Sequence, residues 1–208
     1  MLSIGRQKRA KGNSSRKKRS TPPRSSARRL ELLSVAAALF AKKGYTGTSI
    51  RDVAEVYGVL SGSLYHHVDS KEALYIESHG LVINEAAQRL REVTQKYTEP
   101  WDKLRAACEA TVEFQLDPSS LTYPPLNHLM QTPKSMRKTL VAQRNKFENI
   151  FSEIIKTLQL DPTVDRSIFR LSLITALNGS SVWYRRGKLT PKQVGTRVFE
   201  IFHHCKRC

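Results

Sequence analysis

The sequence predicts an all-α fold, with an N-terminal three-helix helix-turn-helix domain followed by a larger helical domain. From Ser26 onward apolar residues recur at three- and four-residue spacing, the period of a helix with one buried face. No run of alternating β-branched residues marks a strand. Gly44, Gly58, Thr98-Glu99-Pro100 and Asp117-Pro118 punctuate the chain.

The first helix is expected over about Ser26 to Lys43, with Leu33, Ala36, Ala37 and Phe40 on one face and Gly44 as its stop. A second starts after Thr48, a good N-cap in its own right. It turns Ile50, Val53 and Ala54 inward and ends at Gly58. A third covers Ser61 to Val68, and Ser70 caps a fourth that ends near Tyr97. Helices follow over about Pro100 to Leu116, Lys134 to Leu160, Thr163 to Arg186 and Pro191 to Lys206. Between them residues 119–132 are apolar but interrupted by Pro124 and Pro125, which predicts a bent or short helix. Domain boundaries are placed at 1–25 for a basic arm, 26–72 for the helix-turn-helix domain and 73–208 for the regulatory domain.

The chain has 208 residues and a formal charge of +17. Residues 1–29 hold eleven of the 35 Lys and Arg and none of the 18 Asp and Glu, so 24 basic residues face 18 acidic ones in the rest. Such an arm cannot bury enough apolar surface to fold alone, and its charges suit an array of phosphates. Arg24, Arg28 and Arg29 run from it into the first helix. The competing reading is a solubilising tail. No apolar run approaches the roughly 20 residues that cross a bilayer. Cys108, Cys205 and Cys208 are odd in number and lack a framework spacing, which fits a reducing compartment, so the expected location is cytoplasmic and no membrane contact is expected.

The second and third helices, joined by Tyr57-Gly58-Val59-Leu60, have the spacing of a helix-turn-helix. Gly58 permits the left-handed backbone of the turn. Val59 and Leu64 are spaced to pack inward, leaving Ser61, Gly62, Ser63, Tyr65 and His67 on the other side. His66, beside His67, has a second direction open to it, toward the fourth helix. A small, polar, aromatic face of this kind can enter a major groove and reach base edges and thymine methyl groups.

Phe40-Ala41-x-x-Gly44-Tyr45-x-x-Thr48-x-Ile50-x-x-Val53-Ala54, continued by Gly58-Val59-x-x-Gly62-x-Leu64-Tyr65-x-His67-Val68-x-Ser70-Lys71-x-x-Leu74, resembles the tetracycline-repressor (TetR) family. The match covers about Leu30 to Tyr75. The resemblance implies that Arg51, Ser61, Gly62 and Tyr65 approach bases, while Thr48, Ser63, His67 and Lys71 hold phosphates; Arg28, from the basic arm's charge, would add grip. Phosphate contacts set orientation and base contacts set sequence. It further implies a double-stranded DNA operator, a homodimer and an inducer pocket in the C-terminal part.

Apolar stripes run along the last two helices: Val194, Val198, Ile201, Phe202 and Cys205 on one, and Ile168, Leu171, Thr175, Asn178 and Val182 on the other. Two such helices from each of two chains form a four-helix bundle; alternatively the stripes pack within their own domain. Phe114, Leu116, Leu121, Tyr123, Leu126, Met130, Phe147 and Phe151 are candidates to line a cavity, or to be plain core. Gly62-Ser63-Leu64-Tyr65-His66-His67 together with Trp183-Tyr184-Arg185-Arg186 resembles the branch of the family that represses fatty-acid, sterol-ring and aromatic-acid breakdown. In that branch inducers are often acyl-coenzyme A thioesters. Arg185 and Arg186 would then supply charge and Trp183 stacking to such a small-molecule inducer; alternatively the arginines compensate a helix C-terminus.

No phosphate-cradling glycine loop, His-Glu-x-x-His or nucleophile elbow is present, so the sequence predicts no catalysis and no cofactor. Two alternatives stay open. One is a metal-responsive repressor using His203, His204, Cys205 and Cys208, and the other a nonspecific architectural DNA binder relying on the arm.

Overall fold

The computed structural model describes residues 24–117 and 132–204, with side chains from Ser26 onward. Eight helices carry it: α1 (Arg24–Lys43), α2 (Ile50–Tyr57), α3 (Ser61–Tyr65), α4 (Lys71–Thr94), α5 (Pro100–Leu116), α6 (Lys134–Thr157), α7 (Arg166–Trp183) and α8 (Pro191–His203).

The ends follow local chemistry. Gly44 and Gly58 stop α1 and α2 in the left-handed region, at φ of 72° and 79°, which a side chain would strain. The cap of α2 is Ser49 and not Thr48. The Ser49 hydroxyl accepts from Asp52 N at 3.1 Å, and the Asp52 carboxylate accepts from Ser49 N at 2.7 Å, a reciprocal capping box. Thr48 is instead buried, its hydroxyl donating to the Gly44 carbonyl at 2.8 Å. Ser70 caps α4 through Ala73 N at 3.0 Å, and proline at the first turn starts α5. Asp165 accepts from Ser167 N and Ile168 N, so α7 begins at Arg166, later than its apolar period suggests. Thr190 and Gln193 form a second capping box at α8.

Two cores result. The head core joins Leu32, Leu33, Ala36 and Phe40 of α1, Ile50, Val53 and Ala54 of α2, and Leu64 of α3 with Val68, Leu74 and Tyr75. Met136 and Leu140 of α6 complete it, so a helix far along the chain plugs the head. The larger core gathers α5 to α8 around Leu104, Phe151, Leu173 and Leu177, each fully buried. Here α5 and α8 approach closely at Gly195, where an added Cβ would lie 2.6 Å from Glu109 Cα and 2.7 Å from the Cys108 carbonyl oxygen. A smaller cluster of Ala37, Val82, Ala86 and Phe114 links α1, α4 and α5.

Several expectations are corrected. Helix α3 stops at Tyr65, and Val59, expected inside, is 36% exposed; Val68 does the packing in its place. Val194 and Val198, expected at a dimer interface, are buried in the chain's own core against α5 and α7, and Phe202 packs edge-on against Phe169 with centroids 5.4 Å apart. Asn178 turns inward toward Gln115 rather than joining an outer stripe. Among the described residues no helix is long and apolar enough to cross a membrane.

Candidate nucleic-acid interface and regulatory cleft

The head holds its reading helix from three sides. Below it, Leu64 is buried at 1%. Behind it, the Arg29 guanidinium donates to the His67 carbonyl and pairs with Glu77 of α4 at 2.5 Å. Beside it, the Tyr57 hydroxyl donates to the Arg28 carbonyl at 3.1 Å. These contacts tie the start of α1 to both halves of the helix-turn-helix. What they leave outside is Gly62, Ser63, Tyr65, His66 and His67, all exposed, with Ser61 half-buried, Arg51 exposed, and the exposed Arg28 lining a groove with Ser63 and His67. Gly62 has no atom within 4 Å of where a Cβ would stand, so its smallness serves nothing inside the fold.

Two residues expected to hold phosphate are engaged elsewhere. Thr48 is 1% exposed and bonded to backbone, so its hydroxyl has no open side for an external phosphate. Lys71 places its ammonium 4.3 Å over the Tyr45 ring, and the Tyr45 hydroxyl donates to Glu72 at 2.8 Å. Burial and the Glu72 carboxylate push the Tyr45 phenol up to about 12, so it stays a neutral donor. Asp52, paired with Lys43 at 2.8 Å and bonded to Ser49, is held well below the usual carboxylate range.

Helix α4 leaves the head and becomes one wall of a cleft. Ile83, Ala86, Arg89 and Leu90 line it from α4, Ala110, Thr111, Phe114 and Gln115 from α5, Arg144 and Phe147 from α6, and Asn178 from α7. The free space between them is about 20 Å³, room for about one water, so a larger ligand must part the walls. Its polar groups are few. Gln115 Nε2 donates to Asn178 Oδ1 at 2.7 Å, while Gln115 Oε1 is buried without a partner. Arg144 Nε lies 3.1 Å from Glu148, aligned as an ion pair rather than a hydrogen bond, and Glu148 also holds Arg170 at 2.7 Å. Arg89 is shared with an adjoining groove that Tyr184, Arg186 and Lys192 line together with the carboxylates of Glu113 and Asp117, and Lys192 lies 3.6 Å from Glu109.

Between head and cleft sits a polar clip. The half-buried His79 of α4 approaches Gln143 Oε1 of α6 at 2.6 Å, and Gln143 Nε2 donates to the Ile76 carbonyl at 3.1 Å. Burial lowers the His79 imidazole below its ordinary range, despite the glutamine. Gly80 lets Gln143 this close, since a Cβ there would stand 2.8 Å from Nε2.

Of the residues expected to line a cavity, Phe114 and Phe147 do so. Phe151 is 0% exposed in the larger core and offers no face to the cleft, and Trp183 and Arg185 lie exposed outside it, with Arg185 bonded to the Val182 and Tyr184 carbonyls. Leu121, Tyr123, Leu126 and Met130, like Cys205 and Cys208 and the basic arm up to residue 23, lie outside the described residues. His203 packs edge-on to Trp101 at 4.9 Å. Sequence reading missed Arg89, Gln115 and Asn178. The available signal was two amides standing on otherwise apolar faces, Gln115 beside Phe114 and Asn178 beside Leu177.

Two family patterns match the chain. The pattern described as bacterial regulatory proteins, tetR family, matches residues 32–77, and that of a tetracyclin repressor-like C-terminal domain matches residues 97–205. The HTH-type transcriptional repressor KstR2 of Mycobacterium tuberculosis is 29% identical over 180 residues, spanning 84% of this chain and 90% of its own. The structure of ketosteroid transcriptional regulator KstR2 from that organism superposes with a TM-score of 0.67 at 26% identity, over 84% of this chain and 92% of the other. AibR, crystallised with isovaleryl coenzyme A and operator DNA, shares the fold with a TM-score of 0.68 at 22% identity, over 84% and 97%.

Proposed function

The chain belongs to the tetR family of bacterial regulatory proteins, and from that premise we propose that it is a cytoplasmic homodimeric repressor. It binds a palindromic operator in double-stranded DNA and releases it when a small-molecule inducer fills the cleft. One observation carries this reading. Helix α4 is at once a wall of the cleft, through Ile83, Ala86, Arg89 and Leu90, and part of the head core, through Leu74 and Tyr75. Filling the cleft therefore acts on the element that orients the head. An inducer shifts the equilibrium only by binding more tightly to the form whose heads do not fit the operator.

Dimerisation is supported by exposed apolar side chains on the outer faces of α7 and α8: Ile168 at 62%, Leu171 at 49%, Val182 at 63% and Ile201 at 68%, with Thr175 also exposed. A second copy covers this stripe and pairs two heads for two half-sites. Val194, Val198 and Phe202 contribute by holding α8 in place.

For the inducer we propose an acyl-coenzyme A thioester. The cleft offers apolar walls to an acyl group, and Arg89 with Arg186 and Lys192 in the adjoining groove offers cations to phosphates. The AibR complex with isovaleryl coenzyme A supports the class on a shared fold. A thermal-shift panel of saturated acyl-coenzyme A thioesters against their free acids tests it. Stabilisation by thioesters alone is expected, and no shift with any thioester would discard the class while leaving operator binding to be judged separately.

A further inference from the structure

Leu60 is the most exposed large apolar side chain among those described, at 84%. It stands at the N-cap of α3, where its carbonyl accepts from Ser63 N at 2.9 Å and Leu64 N at 3.2 Å but its side chain makes no capping bond. Both facts count against a role inside the fold. Serine, threonine, asparagine or aspartate at an N-cap satisfies a free backbone N–H that leucine leaves open. An isobutyl group left in water contributes no burial. The neighbouring Val56 and Val59 are exposed as well, at 61% and 36%, so three apolar side chains within five residues face outward, with Tyr65 beyond them also exposed. This patch is continuous in sequence with Ser61, Gly62 and Tyr65, the face assigned to the major groove.

We infer that Leu60 determines operator specificity by packing its isobutyl group on the 5-methyl group of a thymine, once in each half-site. The inference rests on the DNA-binding reading above. N-terminal residues of a recognition helix approach base edges. A side chain without donor or acceptor distinguishes bases there chiefly by the thymine methyl, the one apolar group in the major groove. Removing a buried methyl group of this kind weakens binding about fourfold per half-site.

The test uses the full-length protein and an operator selected from random duplex DNA. Each thymine is replaced in turn by deoxyuridine, which removes the methyl and nothing else. The wild type is expected to show one thymine per half-site at which uracil weakens binding about fourfold. Leu60→Ala should bind the thymine operator more weakly by about fourfold per half-site, about sixteenfold for the dimer on both, and lose the thymine-uracil difference at that position alone. Leu60→Ser restores a capping side chain to α3, so loss of discrimination in that variant, with an unchanged or raised melting temperature, separates base reading from folding. Leu60→Ala retaining every thymine-uracil difference, or a wild type showing none, overturns the inference. Failure of the wild type to enrich any sequence overturns instead the reading on which it rests.

Discussion

The head and the cleft treat polar groups in opposite ways. In the head, Thr48 donates to Gly44, Ser49 and Asp52 cap one another, Ser70 caps α4, and Tyr45 donates to Glu72. Each of these groups is satisfied by a neighbour in the same domain. In the cleft, Gln115 leaves a buried carbonyl oxygen unpartnered, and Arg89 lines the wall. A buried polar group without a partner costs about 1–3 kcal/mol. The head is thus a finished object whose outer face does the work. The cleft is unfinished until something else supplies the missing contact.

The largest effects should fall on packing. Leu64→Ala removes a fully buried side chain from under the reading helix and should cost about 2–5 kcal/mol, read by denaturant melts, with operator binding lost in parallel. Gly195→Ala forces a Cβ onto the backbone of α5 and should cost about 1–3 kcal/mol while leaving base preference in the folded protein unchanged. If Gly195→Ala altered base preference, head and regulatory core would not be separable in this way.

Smaller effects probe the polar contrast directly. Thr48→Val removes one paired hydroxyl and leaves the Gly44 carbonyl short of a donor, which should cost about 1 kcal/mol in thermal melts. Replacing Gln115 and Asn178 together by leucine should change stability by much less than Thr48→Val, because the pair leaves together with its unsatisfied atom. The same double variant should lose its thermal shift with any ligand that stabilises the wild type. A double variant as damaging as the loss of a head bond would mean that the amides serve the fold.

Acid probes the head's capping box. Asp52 is held low in the folded head, chiefly by Lys43 and then by Ser49, so its contribution is present above the ordinary carboxylate range and is lost as pH falls through the lower folded value. The melting-temperature gap between wild type and Asp52→Asn should therefore narrow from pH 7 toward strong acid. A gap that stayed constant would remove the capping box from the account of the head.

How far the sequence was legible follows the same line. The helix ends at Gly44, Gly58 and Asp117 were legible because a left-handed stop or a proline acts locally, whatever packs around it. Thr48 and Ser49 are both able caps, and only the Ser49-x-x-Asp52 spacing picks out the second. Val59 was misread because α3 has five residues, too few for a period to fix an inward face. The last two helices were misread for a different reason. Val194 and Ile201 lie on one heptad-spaced stripe, yet the first meets α5 and the second meets solvent, a distinction set by where Gly195 lets α5 approach. Cavity walls and core share one pattern of apolar spacing, so Phe114 and Phe151 could not be told apart before the helices were assembled.

The central claim is that a small exposed face on α3 chooses the DNA sequence while other groups merely hold on. The most direct measurement is the affinity of wild type and Tyr65→Ala for the selected operator and for a scrambled duplex at one salt concentration. Tyr65 is 59% exposed, so its loss should leave the fold intact. The account predicts that Tyr65→Ala binds both duplexes with nearly the affinity the wild type has for the scrambled one. Undiminished preference of Tyr65→Ala for the operator would contradict it.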